Sequence, residues 1–136
     1  HTHSPRATAF AQARLEIPCL GTTHADHFSG PVPVTRPLTA EEVEEDYERN
    51  TGKVIIERFV DLDPRAMPAV LAAGHGPFCW GRGPLDAVAT AAALEAVAAM
   101  ALATRLLRPE SPLLEDYLRD KHFRRKQGPG ASYGQK

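Results

Sequence analysis

Two histidines one residue apart, His1-Thr2-His3, are the first residues in this chain whose type and spacing could do chemistry. In an extended segment, side chains two apart project to the same side, so both imidazoles can reach one ion. On its own such a pair is more often a chance surface feature than a metal site. His75 strengthens it: in Gly74-His75-Gly76-Pro77 two glycines flank a bulky polar ring after an apolar run. A third nitrogen there would complete a three-histidine site with an open position, and the alternative is a core histidine hydrogen-bonded to backbone.

A second group is Thr22-Thr23-His24-Ala25-Asp26-His27, which gathers two hydroxyls, two imidazoles and a carboxylate in six residues. Asp26 is the natural acid/base, provided partial burial raises its pKa. A turn or capping aspartate is the plainer reading. His24 and His27 are either orienting or structural, and neither is assigned to the metal. The third group lies in the tail, where Lys121, Arg124, Arg125 and Lys126 precede Tyr133-Gly134-Gln135. Such a basic run is usually a solvated helix face, although arginine forks also match phosphate oxygens.

Positioning these groups requires particular elements. Ser4-Pro5 reads as a cap and first residue of a helix over 6–14, and residues 16–20 as a short strand feeding the polar loop 22–27. Residues 29–37, with three prolines, are loop or edge strand. Thr39-Ala40-Glu41-Glu42 opens a helix with a capping box, and Gly52 is expected to close it. The β-branched run Val54-Ile55-Ile56 predicts a strand over 53–59, and 69–73 a second one that ends at His75. A long helix is expected over 84–107, then a shorter one over 112–126 with Tyr117 and Leu118 inward. The tail 128–136 reads as irregular. Strands alternating with helices point to one α/β layer structure over residues 1–136.

Composition agrees. The chain has 136 residues, 43% of them hydrophobic and 24% charged, with a formal net charge of -1. That balance supplies no global field for nucleic acid or a membrane surface, so neither is an expected partner, and an anionic substrate would need a local site. Residues 87–107 come nearest to a membrane span, but Glu95 and Arg105 interrupt them. Cys19 and Cys79 read as buried thiols rather than a disulfide, which fits a cytoplasmic setting. The start at His1, inside a candidate metal motif, suggests a longer protein.

Taken in order, His1-Thr2-His3-Ser4, Leu20-Gly21-Thr22-Thr23-His24-Ala25-Asp26, Thr51-Gly52, Gly74-His75-Gly76-Pro77-Phe78 and Tyr133-Gly134-Gln135 resemble the L-ribulose-5-phosphate 4-epimerase family, within the class II aldolase/adducin superfamily. The resemblance implies a three-layer α/β/α fold with a central, largely antiparallel sheet, lacking an N-terminal part that carries most of the phosphate-binding loop and an acidic residue near the metal. It implies His1, His3 and His75 as ligands of Zn2+, with Mn2+ or another divalent ion as alternatives. It also implies Asp26 and Tyr133 as a proton-transfer pair lent by the neighbouring subunit of a homotetramer, with Thr22, Glu48, His122 and Arg125 in support. The implied reaction is inversion at C4 of a small ketose phosphate, L-ribulose 5-phosphate to D-xylulose 5-phosphate, by retro-aldol cleavage and re-addition. Ser132 and Gln127 depart from the family, which commonly has Tyr and His there. An aldolase or dehydratase acting on another sugar phosphate, or a non-catalytic adducin-like interaction module, are the competing readings.

Overall fold

The computed structural model describes residues 1–127 and residue 131; Tyr133, and with it the expected irregular tail and the Ser132 departure, lies outside them. The first helix, α1 (Pro5–Ala13), begins where Ser4-Pro5 predicts and ends at Arg14, whose φ of 58° is left-handed. Ser4 makes no side-chain cap hydrogen bond. Instead the amides of Arg6 and Ala7 donate to the Glu95 carboxylate at 3.0 Å each, so an anion from another helix satisfies the unpaired donors of the first turn. Glu95, read from the sequence as an interruption of an apolar run, is thus the cap of the helix that follows the His-x-His pair.

Residues 16–20 do not form the expected strand: only a single antiparallel bridge, Ile17 to Val32, is present. Likewise 22–27 is not a plain loop, because Thr22–Ala25 makes one helical turn, α2, with Asp26 at its C-terminal end. The capping box at Thr39 and Glu42 forms as expected and opens α3 (Ala40–Arg58). That helix runs through Gly52, which does not close it, and absorbs the predicted strand 53–59. A β-branched residue costs a helix at most about 0.7 kcal/mol, whereas burying a valine returns roughly 1.5–3 kcal/mol. Val54 is buried and Ile56 is 73% exposed, so packing one face decides the outcome.

The strand predicted at 69–73 is β1 (Ala69–Ala72), and it pairs antiparallel with β2 (Gly76–Cys79). The register sets Ala72 against Gly76 and Ala69 against Cys79, and His75 sits in the turn. Residues 33–35 run beside β1, with one parallel bridge from Val34 to Leu71. Among the described residues the sheet therefore has two strands. Next comes α4 (Pro84–Leu107), as the sequence predicts, and then α5 (Asp116–Gln127). Tyr117 on α5 is 76% exposed rather than inward.

Small side chains let α1 approach α4 closely: Ala7 and Ala11 are fully buried against a core that includes Leu94, Val97, Ala98 and Ala101, with Leu71 and Phe28 beside them. Within its 24 residues α4 holds an 18-residue stretch of mean hydropathy 1.7, so by length and composition alone it could cross a bilayer despite the charges that interrupt it. Its inner face is core. Cys19 is buried, Cys79 half-buried, and both thiols are free. Burial raises both pKa values, that of Cys79 to about 11, so neither is a ready nucleophile.

Candidate metal centre

Three elements bring His1, His3 and His75 together. The hairpin turn needs Gly74, whose φ of 74° is disfavoured for residues with a Cβ. The amide of Gly74 donates to the Ala11 carbonyl at 2.8 Å, which fastens the turn to α1. The segment before α1 then lies against β2, where the Thr2 amide donates to the Pro77 carbonyl at 3.3 Å. Gly76 makes this approach possible: a Cβ there would sit 2.9 Å from the Thr2 carbonyl oxygen and 3.4 and 3.5 Å from the rings of His3 and His1. Gly76→Ala is therefore expected to push the His-x-His segment off the hairpin and weaken any divalent-ion binding by the cluster at least about 10-fold. Chelator competition checks this, and unchanged affinity would contradict it.

The result is a cluster in which one ligand atom from each of the three imidazoles lies within 4.8 Å of the other two. Ring centroids are 4.8 Å apart for His1 and His3, 4.6 Å for His1 and His75, and 5.1 Å for His3 and His75, all edge-on. Nε2 of His1 and Nε2 of His3 are 2.9 Å apart. Nδ1 of His1 lies 3.1 Å from the Pro77 carbonyl, to which it donates, leaving Nε2 with its lone pair toward the cluster. An all-nitrogen set with one edge open suits a borderline ion such as Zn2+. Among the described residues no carboxylate belongs to this group.

Sequence reasoning missed Tyr47. Its hydroxyl oxygen lies 2.9 Å from Nδ1 of His75, with the rings nearly parallel. No local pattern marks it, since it stands in the acidic run of α3 and is drawn to the site only by the fold. Glu48, the next residue, is exposed on the same helix.

Asp26 sits elsewhere, where α2 meets α5. Its carboxylate lies 2.9 Å from Nδ1 of His122, 3.3 Å from Arg125 and 3.7 Å from Lys126. The structure thus unites Asp26, His122 and Arg125, and Gln127 reaches the Asp26 carbonyl at 3.5 Å. Thr22, half-buried at the start of α2, accepts the Asp26 amide on its carbonyl at 2.9 Å. The expected upward pKa shift of Asp26 is corrected. Burial does push it up, but the His122 hydrogen bond and the charges of Lys126, Arg125 and His122 outweigh burial and hold it below the usual carboxylate range.

His24 is structural. It is buried, its Nε2 donates to the Gly30 carbonyl at 2.8 Å, and among the described residues its Nδ1 has no hydrogen-bond partner. Burial pushes its pKa down to about 4. His27 is lowered too, by burial and then by Lys126. Between pH 6.5 and 4 the unfolded chain protonates His24 while the fold does not, so stability is full above about 6.5 and falls toward pH 4, by on the order of 3 kcal/mol. His24→Gln keeps a donor for Gly30 and should flatten urea-derived stability over that window. Parallel curves for the two proteins would contradict this.

The comparisons with known proteins agree with this geometry. The Class II Aldolase and Adducin N-terminal domain family matches residues 1–102. Curated relatives called L-ribulose-5-phosphate 4-epimerase UlaF, from Salmonella paratyphi B, Salmonella paratyphi C and Salmonella typhi, are 53% identical over 136 residues. They align with 100% of this chain, which spans 60% of their length. A solved structure of L-fuculose 1-phosphate aldolase superposes with a TM-score of 0.69 at 22% identity, over 92% of this chain and 53% of that one. That likeness establishes the fold, and the expected mixture of helices with antiparallel sheet is present. A family match over residues 1–102, together with the shared fold, places this chain in the class II aldolase and adducin family.

Proposed function

We propose that the protein carrying this chain catalyses the divalent-metal-dependent epimerisation of L-ribulose 5-phosphate at C4, to D-xylulose 5-phosphate. The convergence of His1, His3 and His75 carries the reading, and the 53% identity to proteins called L-ribulose-5-phosphate 4-epimerase directs it to this substrate. The carbon to be inverted bears no acidic proton, so inversion proceeds by breaking and remaking the C3–C4 bond. A bound Zn2+, or Mn2+ in its place, supplies Lewis-acid polarisation of the ketose carbonyl and its neighbouring hydroxyl. His1 and His75 are held in orientation for it by the Pro77 carbonyl and the Tyr47 hydroxyl.

Asp26 and Tyr133 are the acid/base pair in this reading, one on each face of the aldehyde formed at C4. Asp26 is a partly buried carboxylate among cations, and it remains ionised, ready to accept the C4 hydroxyl proton. His122 and Arg125 position it, Thr22 supports its backbone, and Glu48, exposed next to Tyr47 in α3, is kept as a further supporting residue. We place Asp26 and Tyr133 against the metal of a neighbouring subunit in a homotetramer, as the resemblance to the epimerase family implies; within its own chain the Asp26 carboxylate is held by α5. A cytoplasmic setting accords with two free thiols.

The test is an assay of the intact, zinc-loaded protein with L-ribulose 5-phosphate. Formation of D-xylulose 5-phosphate, abolished by chelator and restored by metal, is expected. Release of a free aldehyde in stoichiometric amount would instead identify an aldolase, and a protein that takes up no metal would match a non-catalytic adducin-like module.

A further inference from the structure

The α3 helix is broken one residue before Tyr47. Asp46 has φ -167° and ψ 86°, extended rather than helical, yet helix continues on both sides. Such a break strands backbone groups that a continuous helix would pair, and two of them find side-chain partners. The Asp46 carboxylate accepts the Arg49 amide at 3.2 Å, which is the N-cap arrangement for a new helix beginning at Tyr47. The Asn50 side chain, 1% exposed, donates to the Glu42 carbonyl at 2.8 Å, the acceptor an unbroken helix would give to the Asp46 amide. Arg36 then clamps the two halves, holding Glu42 before the break at 2.8 Å and Glu57 after it at 3.0 Å.

Tyr47, next after the break, is 38% exposed, while Asn50, Thr51 and Val54 beyond it are buried. What the bend does provide is a hydroxyl oxygen 2.9 Å from Nδ1 of His75. The Thr51 hydroxyl donates to the Tyr47 carbonyl at 2.8 Å and steadies the residue from the other side. We infer that Tyr47, presented by the capped break in α3, is a positioning residue for His75: its oxygen accepts the Nδ1 proton and so fixes the tautomer whose Nε2 lone pair faces the ion. This rests on the metal reading of the triad. The three rings then differ in how they are held. His1 donates to a backbone carbonyl, His75 to a side chain on a separate, bent helix, so the third ligand depends on α3 being correctly docked.

A metal ligand whose outer hydrogen bond is removed loses about 10–100-fold in affinity. In the intact protein, Tyr47→Phe should weaken zinc binding by that factor in chelator competition and shift the visible spectrum of the Co2+-substituted protein, while the thermal melting of the metal-free protein stays unchanged. A second measurement needs no variant. Two-bond 1H–15N correlation spectra of the metal-free wild type should place the His75 proton on Nδ1. Wild type with that proton on Nε2, or a Tyr47→Phe protein that binds zinc as tightly as wild type with the same cobalt spectrum, overturns the inference alone. Wild type that takes up no zinc at all overturns the metal reading and the inference together.

Discussion

Replacing His75 with alanine is expected to strip the intact protein of nearly all its metal and to lower turnover by about a thousandfold or more. The argument is one of ligand number. His1 and His3 stand two residues apart, and their Nε2 atoms are 2.9 Å from each other, so they can grip an ion from one side only. Two imidazoles leave most of the coordination sphere to water, and zinc held that way dissociates readily. His75 closes the set from the hairpin. Its loss should exceed the 10–100-fold penalty of losing an outer partner, and with the ion goes the electrostatic assistance worth about 10²–10³ in rate for a single preorganised group. Metal content by atomic absorption and steady-state turnover check both halves. Full occupancy in the variant would contradict the site.

The second large effect is a recovery rather than a loss. Asp26→Asn and His75→Ala proteins, each inactive, should regain turnover when their subunits are mixed and reassembled. Each active site is proposed to take its metal ligands from one subunit and its acid/base from another. Random pairing of equal amounts then restores about one quarter of the sites, those with an intact triad facing an intact Asp26. Mixed tetramers demonstrated by native mass spectrometry, yet without activity, would contradict the shared site. Within one chain the Asp26 carboxylate is held by His122 and Arg125.

Much of this site was legible in the residues, and the reasons are local. Ser4-Pro5 and Pro84 start helices where proline is tolerated, at the first turn. The 69–73 strand and its glycine-bounded turn could be read because a run of apolar residues ends in a conformation that favours glycine. The strand expected at 53–59 failed for a non-local reason. Its β-branched residues carry a weak preference, and a new cap at Asp46 with Val54 packing inward overrides it. The β2 strand hid because Gly76-Pro77 reads as part of the turn around His75, and only the register with β1 makes Gly76–Cys79 a strand.

The residues that support the ligands were the least legible. Glu95 caps α1 across the core from 88 or more positions away in sequence, and Tyr47 meets His75 across 28. Pairings at such separations leave no spacing pattern. The upward pKa expected for Asp26 from burial also failed on distant residues, since His122, Arg125 and Lys126 all come from α5. Histidines set in short motifs announce themselves, whereas the groups that contact and orient them are chosen by the fold.

X-ray absorption at the zinc edge of the intact, zinc-loaded protein tests the central claim most directly. The account predicts a first shell containing three imidazole nitrogens at about 2.0–2.1 Å, with the imidazole scattering falling to two rings or disappearing in His75→Ala. A shell dominated by sulfur or by oxygen alone, or a histidine count unchanged by that substitution, would contradict it.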